Sequence, residues 1–286
     1  MFDPTLRHHR IARAATIDAR AEGASDWLAD AMAQDTAERL SLVLRDFENV
    51  ACLFTRTPAL AETLRTDPRV GRVTRIEEQG FFRGEADATV ATIDALDLTP
   101  DSLDAALLPL ALHHADDPPA VLSRIAKALR PDGLLLAALP GPRTLMELRA
   151  VLLEAEEAET GGAGQRIDPF VSLQTAGSLL SQAGLALPVT DTDILTVHYR
   201  SLTQLVGDLR AFAATRQMAA RLPPLSRAVF DRVSALYVER HARADGRIPA
   251  TFEIVSMQGW KPHASQQKPL ARGSAEVSLA EALKRD

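Results

Sequence analysis

The stretch from Asp116 to Leu139 limits the possible folds more than any other part of the chain. Asp116-Asp117-Pro118-Pro119 supplies an acidic cap and prolines suited to a first helical turn, and Val121, Leu122, Ile125, Ala128 and Leu129 then fall on one helical stripe. Pro131-Asp132-Gly133 stops that helix, and residues 134–139 follow as an unbroken apolar run. A strand apolar on both faces must be covered on both. Crossover helices over a parallel sheet provide that cover, because right-handed connections place a helix on each face.

The remainder of the chain repeats the alternation less clearly. Residues 27–44 are predicted to be a helix from the spacing of Leu28, Met32, Leu40 and Leu44, and residues 49–54 a first strand. Thr57-Pro58 is expected to cap and start the next helix. Residues 70–76 and 88–93 are weaker strand candidates, and 104–110 a stronger one that leads to His113-His114. Helices are expected over 141–158, 172–183, 202–214 and 225–241, with strands at 189–199 and 252–257. The predicted class is α/β, a Rossmann-like sheet with helices on both faces. Its parts are an N-terminal helical extension (1–46) and one domain (47–286) that contains a helical insertion at about 201–247 and a C-terminal strap at 259–275. The strand at 252–257 is expected to be antiparallel at the sheet edge.

With 32 Lys+Arg against 38 Asp+Glu, the 286-residue chain carries a formal charge of −6 and no long basic tract, which argues against nucleic acid as a partner. The single cysteine, Cys52, allows no internal disulfide, no Cys/His spacing suggests zinc, and the cytoplasm is the expected compartment. No apolar run approaches the ~20 residues a membrane span needs. Arg7, Arg10, Arg13 and Arg20 imitate a transit peptide, but Asp3, Pro4 and Asp18 favour a helix docked on the domain. Glu154, Glu156, Glu157 and Glu159 read as a solvated helix face, with no histidine spaced to make a metal site.

Residues Leu112-His113-His114-Ala115-Asp116-Asp117 through Leu129-Arg130-Pro131-Asp132-Gly133-Leu134 resemble the late half of a class I S-adenosylmethionine-dependent methyltransferase. Gly141-Pro142-Arg143-Thr144-Leu145-Met146-Glu147-Leu148-Arg149 and Gly259-Trp260-Lys261-Pro262-His263-Ala264-Ser265-Gln266 are similar to a subfamily containing mitochondrial complex I assembly factor 5, with malonyl-carrier-protein methyltransferases more distant. The resemblance implies S-adenosylmethionine as cofactor and a protein client, a peripheral-arm subunit of respiratory complex I, modified by arginine hydroxylation.

The likeness is faint between Phe47 and Asp94, where the family holds its cofactor. Phe54, Arg56 and Pro58 stand where the family has glycines, and Cys52 where it has an acidic residue. Glu77, displaced by about one position, is the candidate for the ribose-binding acid. Thr92, with Asp94 nearby, stands at the adenine-contacting position. Bulky residues take up space that the family leaves for close backbone approach, so weak or absent S-adenosylmethionine binding is expected. Arg56 offers one compensation, a guanidinium beside a helix N-terminus able to hold a carboxylate.

His113 sits where a strand opens into the expected cleft and is the candidate general base; its structural alternative is to brace the strand end while Asp116 or Asp117 caps the next helix. Trp260, Lys261, His263, Gln266, Lys268 and Arg272 join an aromatic anchor to several donors, which suits recognition of a protein or an anionic group, or else a strap over the sheet. Three functions fit: a client-binding maturation factor with a degenerate cofactor loop, an active methyltransferase with a rebuilt pocket, and a structural module without a small-molecule ligand.

Overall fold

The computed structural model describes residues 2–21, 26–78 and 88–267. Among these, seven strands form one sheet: β1 (Phe47–Leu53), β2 (Val70–Glu77), β3 (Ala88–Val90), β4 (Leu103–Pro109), β5 (Leu129–Pro140), β6 (Ala186–Tyr199) and β7 (Ile248–Trp260). Their spatial order is β3-β2-β1-β4-β5-β7-β6. The first five run parallel, and β7 lies antiparallel between β5 and β6.

The residue alternation of each strand decides what covers it. On one face, Ala51, Leu53, Ala106 and Leu108 pack with α4 (Pro118–Ala128) and α6 (Leu173–Gln182). On the other, Val50, Cys52, Ala105 and Leu107 pack with α2 (Trp27–Ser41) and α3 (Ala59–Arg65). Phe54 joins the first cluster at 4% exposure, so the aromatic ring in the cofactor loop is core. A third apolar cluster binds α5 (Met146–Thr160), α7 (Leu202–Ala211) and α8 (Arg227–His241) to Phe252 and Ile254 of β7. The N-terminal helix α1 (Pro4–Arg20) is capped by Asp3 and packs Ile11 and Ala14 against Ala213, just beyond α7.

Three expectations need correction. The last strand is not at the edge: β6 pairs with its outer side from Ala186↔Trp260 to Tyr199↔Ile248, so β7 is flanked by a strand on both sides and the alternating, partly exposed β6 is the edge. Thr57 does not cap α3. Pro58 occupies the cap position without a side-chain bond, and the Thr57 hydroxyl instead donates to Asp30 at 2.8 Å. Glu156 is not on a solvated face; it is buried, accepts from the Gly164 N–H at 3.1 Å and pairs with Arg166, which pins the chain after α5. The C-terminal segment lies away from the cleft. Because β7 runs against its neighbours, pairing Leu134 with Trp260 and Pro140 with Ile254, Trp260 sits at the end of the sheet opposite to the loops that follow β1, β4 and β5.

Candidate functional site

The C-terminal ends of β1, β2 and β4 converge on a loop whose backbone is unusual for its side chains. Phe54 (φ 54°) and Arg56 (φ 64°) both adopt the left-handed region that glycine enters freely, a cost of about 1–2 kcal/mol each for residues with a Cβ. The Phe54 N–H donates to Ile76 O at 2.7 Å, locking the loop to β2.

Glu77, 1% exposed at the end of β2, holds that loop from beneath. Its Oε1 accepts from the Thr55 N–H (2.7 Å), the Thr55 hydroxyl (2.7 Å), the Arg56 N–H (3.0 Å) and Arg75 Nε (3.1 Å). Its Oε2 is buried with no hydrogen-bond partner among the described residues. Burial pushes the carboxyl pKa up, opposed by the Arg75 guanidinium and by the Thr55 and Arg56 donors.

Above the loop, helix α1 reaches into the space between β2 and β4. Arg7 pairs with Glu78, and its Nη1 donates to His114 O at 2.8 Å. Arg56 turns the other way, pairing with Asp26 at 3.1 Å and donating to Phe212 O. What remains above the loop is a cavity of about 30 Å³, lined in part by Arg7, Phe54, Arg56, Glu77 and Glu78. Arg56, Leu110, His114 and Phe212 also line a neighbouring cavity of about 1340 Å³, and so form the partition between the two.

The large cavity lies between the sheet end, α1, α5, α7 and α8, and has an apolar floor that includes Leu148, Phe252 and Ile254. Seven arginines and three aspartates line it, giving a cationic wall in an acidic chain. His113 faces it from a short 3-10 turn after β4. The Nδ1 of His113 is enclosed and has no partner among the described residues; burial, then Arg56 and Arg7, bring its pKa down to about 3. The imidazole is therefore neutral at ordinary pH, with no carboxylate to orient it as a base. Asp117 caps α4 by accepting the Ala120 N–H at 3.0 Å, and Asp116 accepts the Phe2 N–H at 3.0 Å.

The other candidates are scattered. Thr92 and Asp94 are exposed and line neither cavity; Asp94 instead accepts the Asp116 N–H at 2.9 Å. Trp260 is half-buried under the Arg45 guanidinium, 5.9 Å from its ring centre. Lys261 Nζ donates to Leu129 O at 2.7 Å and pairs with Asp101 at 2.7 Å, while Gln266 Nε2 donates to Asp132 Oδ1 at 2.9 Å. His263 bonds only its neighbour Ser265, at 2.7 Å. These contacts strap the far end of the sheet. Lys268 and Arg272 lie outside the described residues. Among the described residues no three His, Cys, Asp or Glu side chains gather where a metal ion would sit.

Sequence reasoning missed Arg7, Glu78 and the arginines of the large cavity. A signal was present, since Arg7, Arg10 and Arg13 recur every third residue and share one helix face.

Residues 48–137 match the family described as Methyltransferase domain. The mouse protein named Arginine-hydroxylase NDUFAF5, mitochondrial, is 34% identical over 266 residues, which is 91% of this chain and 77% of that protein. The chain belongs to the NDUFAF5-like methyltransferase family. The zebrafish NDUFAF5 is 36% identical over 199 residues, 70% of this chain, and the chain spans only 62% of that relative's length. A malonyl-[acyl-carrier protein] O-methyltransferase of Laribacter hongkongensis is 34% identical over 204 residues, 71% of this chain and 64% of that protein. Among solved structures, the YcgJ protein of Bacillus subtilis superposes with a TM-score of 0.54 at 14% identity, covering 81% of this chain and all of that one, which speaks for the fold alone.

Proposed function

We propose that this family member is a client-binding maturation factor with a degenerate cofactor loop, in the manner of a respiratory complex I assembly factor. One observation carries the reading: Glu77 Oε1, at the end of β2 where the family binds ribose, is spent on Thr55, Arg56 and Arg75. Phe54 and Arg7 fill the adjoining space down to about 30 Å³, far below the several hundred cubic ångströms typical of a nucleoside-sized ligand site. The residues as folded do not fit S-adenosylmethionine, and no catalytic step is derived through it.

The client reading draws on the NDUFAF5 relatives, whose name gives them an arginine substrate and a mitochondrial setting. For this chain the client is a peripheral-arm subunit of complex I and the compartment is the cytoplasm; no described helix is long and apolar enough to cross a membrane. A cavity rich in arginine repels an arginine side chain, which supports binding and maturation over hydroxylation within that cavity. Client contacts are also assigned to Trp260, Lys261, His263 and Gln266, and to Lys268 and Arg272 further along the chain.

An active methyltransferase is the second reading, favoured by Glu77 Oε2, a buried and unpartnered carboxylate oxygen that a ribose hydroxyl would satisfy. It requires Arg7 and α1 to withdraw. Cross-linking and mass spectrometry of the chain with a purified peripheral-arm subunit, with and without S-adenosylmethionine, separates the two. Capture independent of the cofactor and without a mass change supports the first; a subunit heavier by one methyl group, only with cofactor, replaces it with the second.

A further inference from the structure

Three arginines, Arg10, Arg13 and Arg210, lie at or behind one wall of the large cavity, and among the described residues no carboxylate pairs with any of them. Arg10 and Arg210 line it, Arg210 exposed and Arg10 half-buried. Arg13 stands behind them, its Nη2 donating at 2.8 Å to the hydroxyl of Thr215, another lining residue. The Nε atoms of both Arg10 and Arg13 are buried and have no hydrogen-bond partner among the described residues. Neighbouring like charges repel one another, and an anion at the cavity wall relieves that repulsion, so the arrangement calls for an anion. Burial and the Coulomb fields of Arg10 and Arg210 depress the Arg13 pKa, which agrees with the three lying within electrostatic reach of one another.

The cavity also specifies what is attached to the anion. The exposed Arg210 marks its solvent side, and buried Leu148, Val233 and Phe252 its interior. At about 1340 Å³ it exceeds ordinary small-ligand sites, and its floor is aliphatic and aromatic. Apolar walls of that extent favour a long apolar occupant over water.

We propose that this cavity binds a long-chain carboxylate, with its head on Arg10 and Arg210 and its chain running in towards Leu148 and Phe252. A single negative charge is favoured over a phosphate because Asp168 also lines the cavity, fixed by the Gln217 N–H at 2.9 Å, and lies within the field of Arg10. A dianion there meets a carboxylate that has already neutralised part of the cluster. The cofactor loop only borders this cavity, through Arg56, and the proposal does not depend on the client reading.

Calorimetric titration of the full chain with palmitate, hexadecanol and hexadecyl phosphate, below their aggregation limits, tests it. Palmitate is expected to bind one to one, and hexadecanol at least about tenfold more weakly, the effect of losing charge-assisted bonds. Arg10→Gln with Arg210→Gln is expected to weaken palmitate by about tenfold or more while far-ultraviolet circular dichroism and the melting midpoint stay close to the parent's. Absence of palmitate binding overturns the proposal, as does equal affinity for the alcohol, undiminished binding in the folded double variant, or tighter binding of the phosphate.

Discussion

Glu77 Oε1 accepts the Arg56 N–H at 3.0 Å, and this bond joins the end of β2 to a loop whose two left-handed residues both carry large side chains. In a cofactor site such a carboxylate faces outward to a ligand. Here it faces the loop, and its satisfaction by Thr55, Arg56 and Arg75 is what stabilises the strained turn against relaxing.

Glu77→Ala is therefore expected to cost about 3–5 kcal/mol, because it leaves the buried Arg75 without its carboxylate and two loop N–H groups without an acceptor. Glu77→Gln should cost less, since an amide oxygen still accepts from the loop. Urea unfolding at neutral pH ranks them. Equal stability of Ala and parent would mean that the loop stands without Glu77.

Arg7→Ala is expected to lower stability by about 3 kcal/mol, as Glu78 is 10% exposed and loses its cation. Hydrogen exchange in α1 should quicken at the same time, because Arg7 also anchors that helix to His114 O. Unchanged exchange would show that α1 is held by Ile11 and Ala14 alone.

The parallel half of the sheet was legible because its central strands are apolar on both faces and Asp117 caps α4 as its sequence suggests, although α4 already ends at Ala128 and the expected stop, Pro131-Asp132-Gly133, belongs to β5. The place of β7 was not. Its apolar run fits a central strand as well as an edge, and only the pairing with β6 distinguishes them. Glu77 was found by position, yet its orientation depends on Thr55 and Arg75, contacts that sequence spacing does not fix. Arg7 escaped because an arginine-rich helix reads as charge rather than as one face aimed at Glu78. Lys261 was legible as a donor near an aromatic residue, but its partners, the carbonyls of Lys127 and Leu129, are brought to it by the strand register and not by sequence spacing.

Acid sensitivity should depend in part on His113. An imidazole at about 3 in the fold and near 6.5 unfolded takes up a proton on unfolding. Its contribution is complete above pH 6.5 and falls away as the pH drops towards 3; His114 shifts in the same direction. His113→Asn should therefore lose less in melting midpoint than the parent between pH 7 and about 5, the carboxylates being common to both. Parallel curves would contradict an enclosed, neutral His113.

Lys261→Met should cost about 1 kcal/mol by removing the donor to the end of α4, without altering either cavity. Unfolding and ligand titrations measured on the same variant test this together. A change in ligand affinity would place the segment closer to the site than the strand register does.

Calorimetric titration with S-adenosylmethionine and its demethylated product tests the closed cofactor loop most directly. Each hydrogen bond lost to the ligand removes on the order of 1 kcal/mol, and about 1.4 kcal/mol is tenfold, so filled space plus a committed Glu77 moves micromolar binding to about millimolar or weaker. The expected result is heat indistinguishable from dilution at micromolar ligand, for the parent chain with α1 in place. Low-micromolar affinity for either compound, lost in Glu77→Gln, would contradict the account and establish an open methyltransferase site.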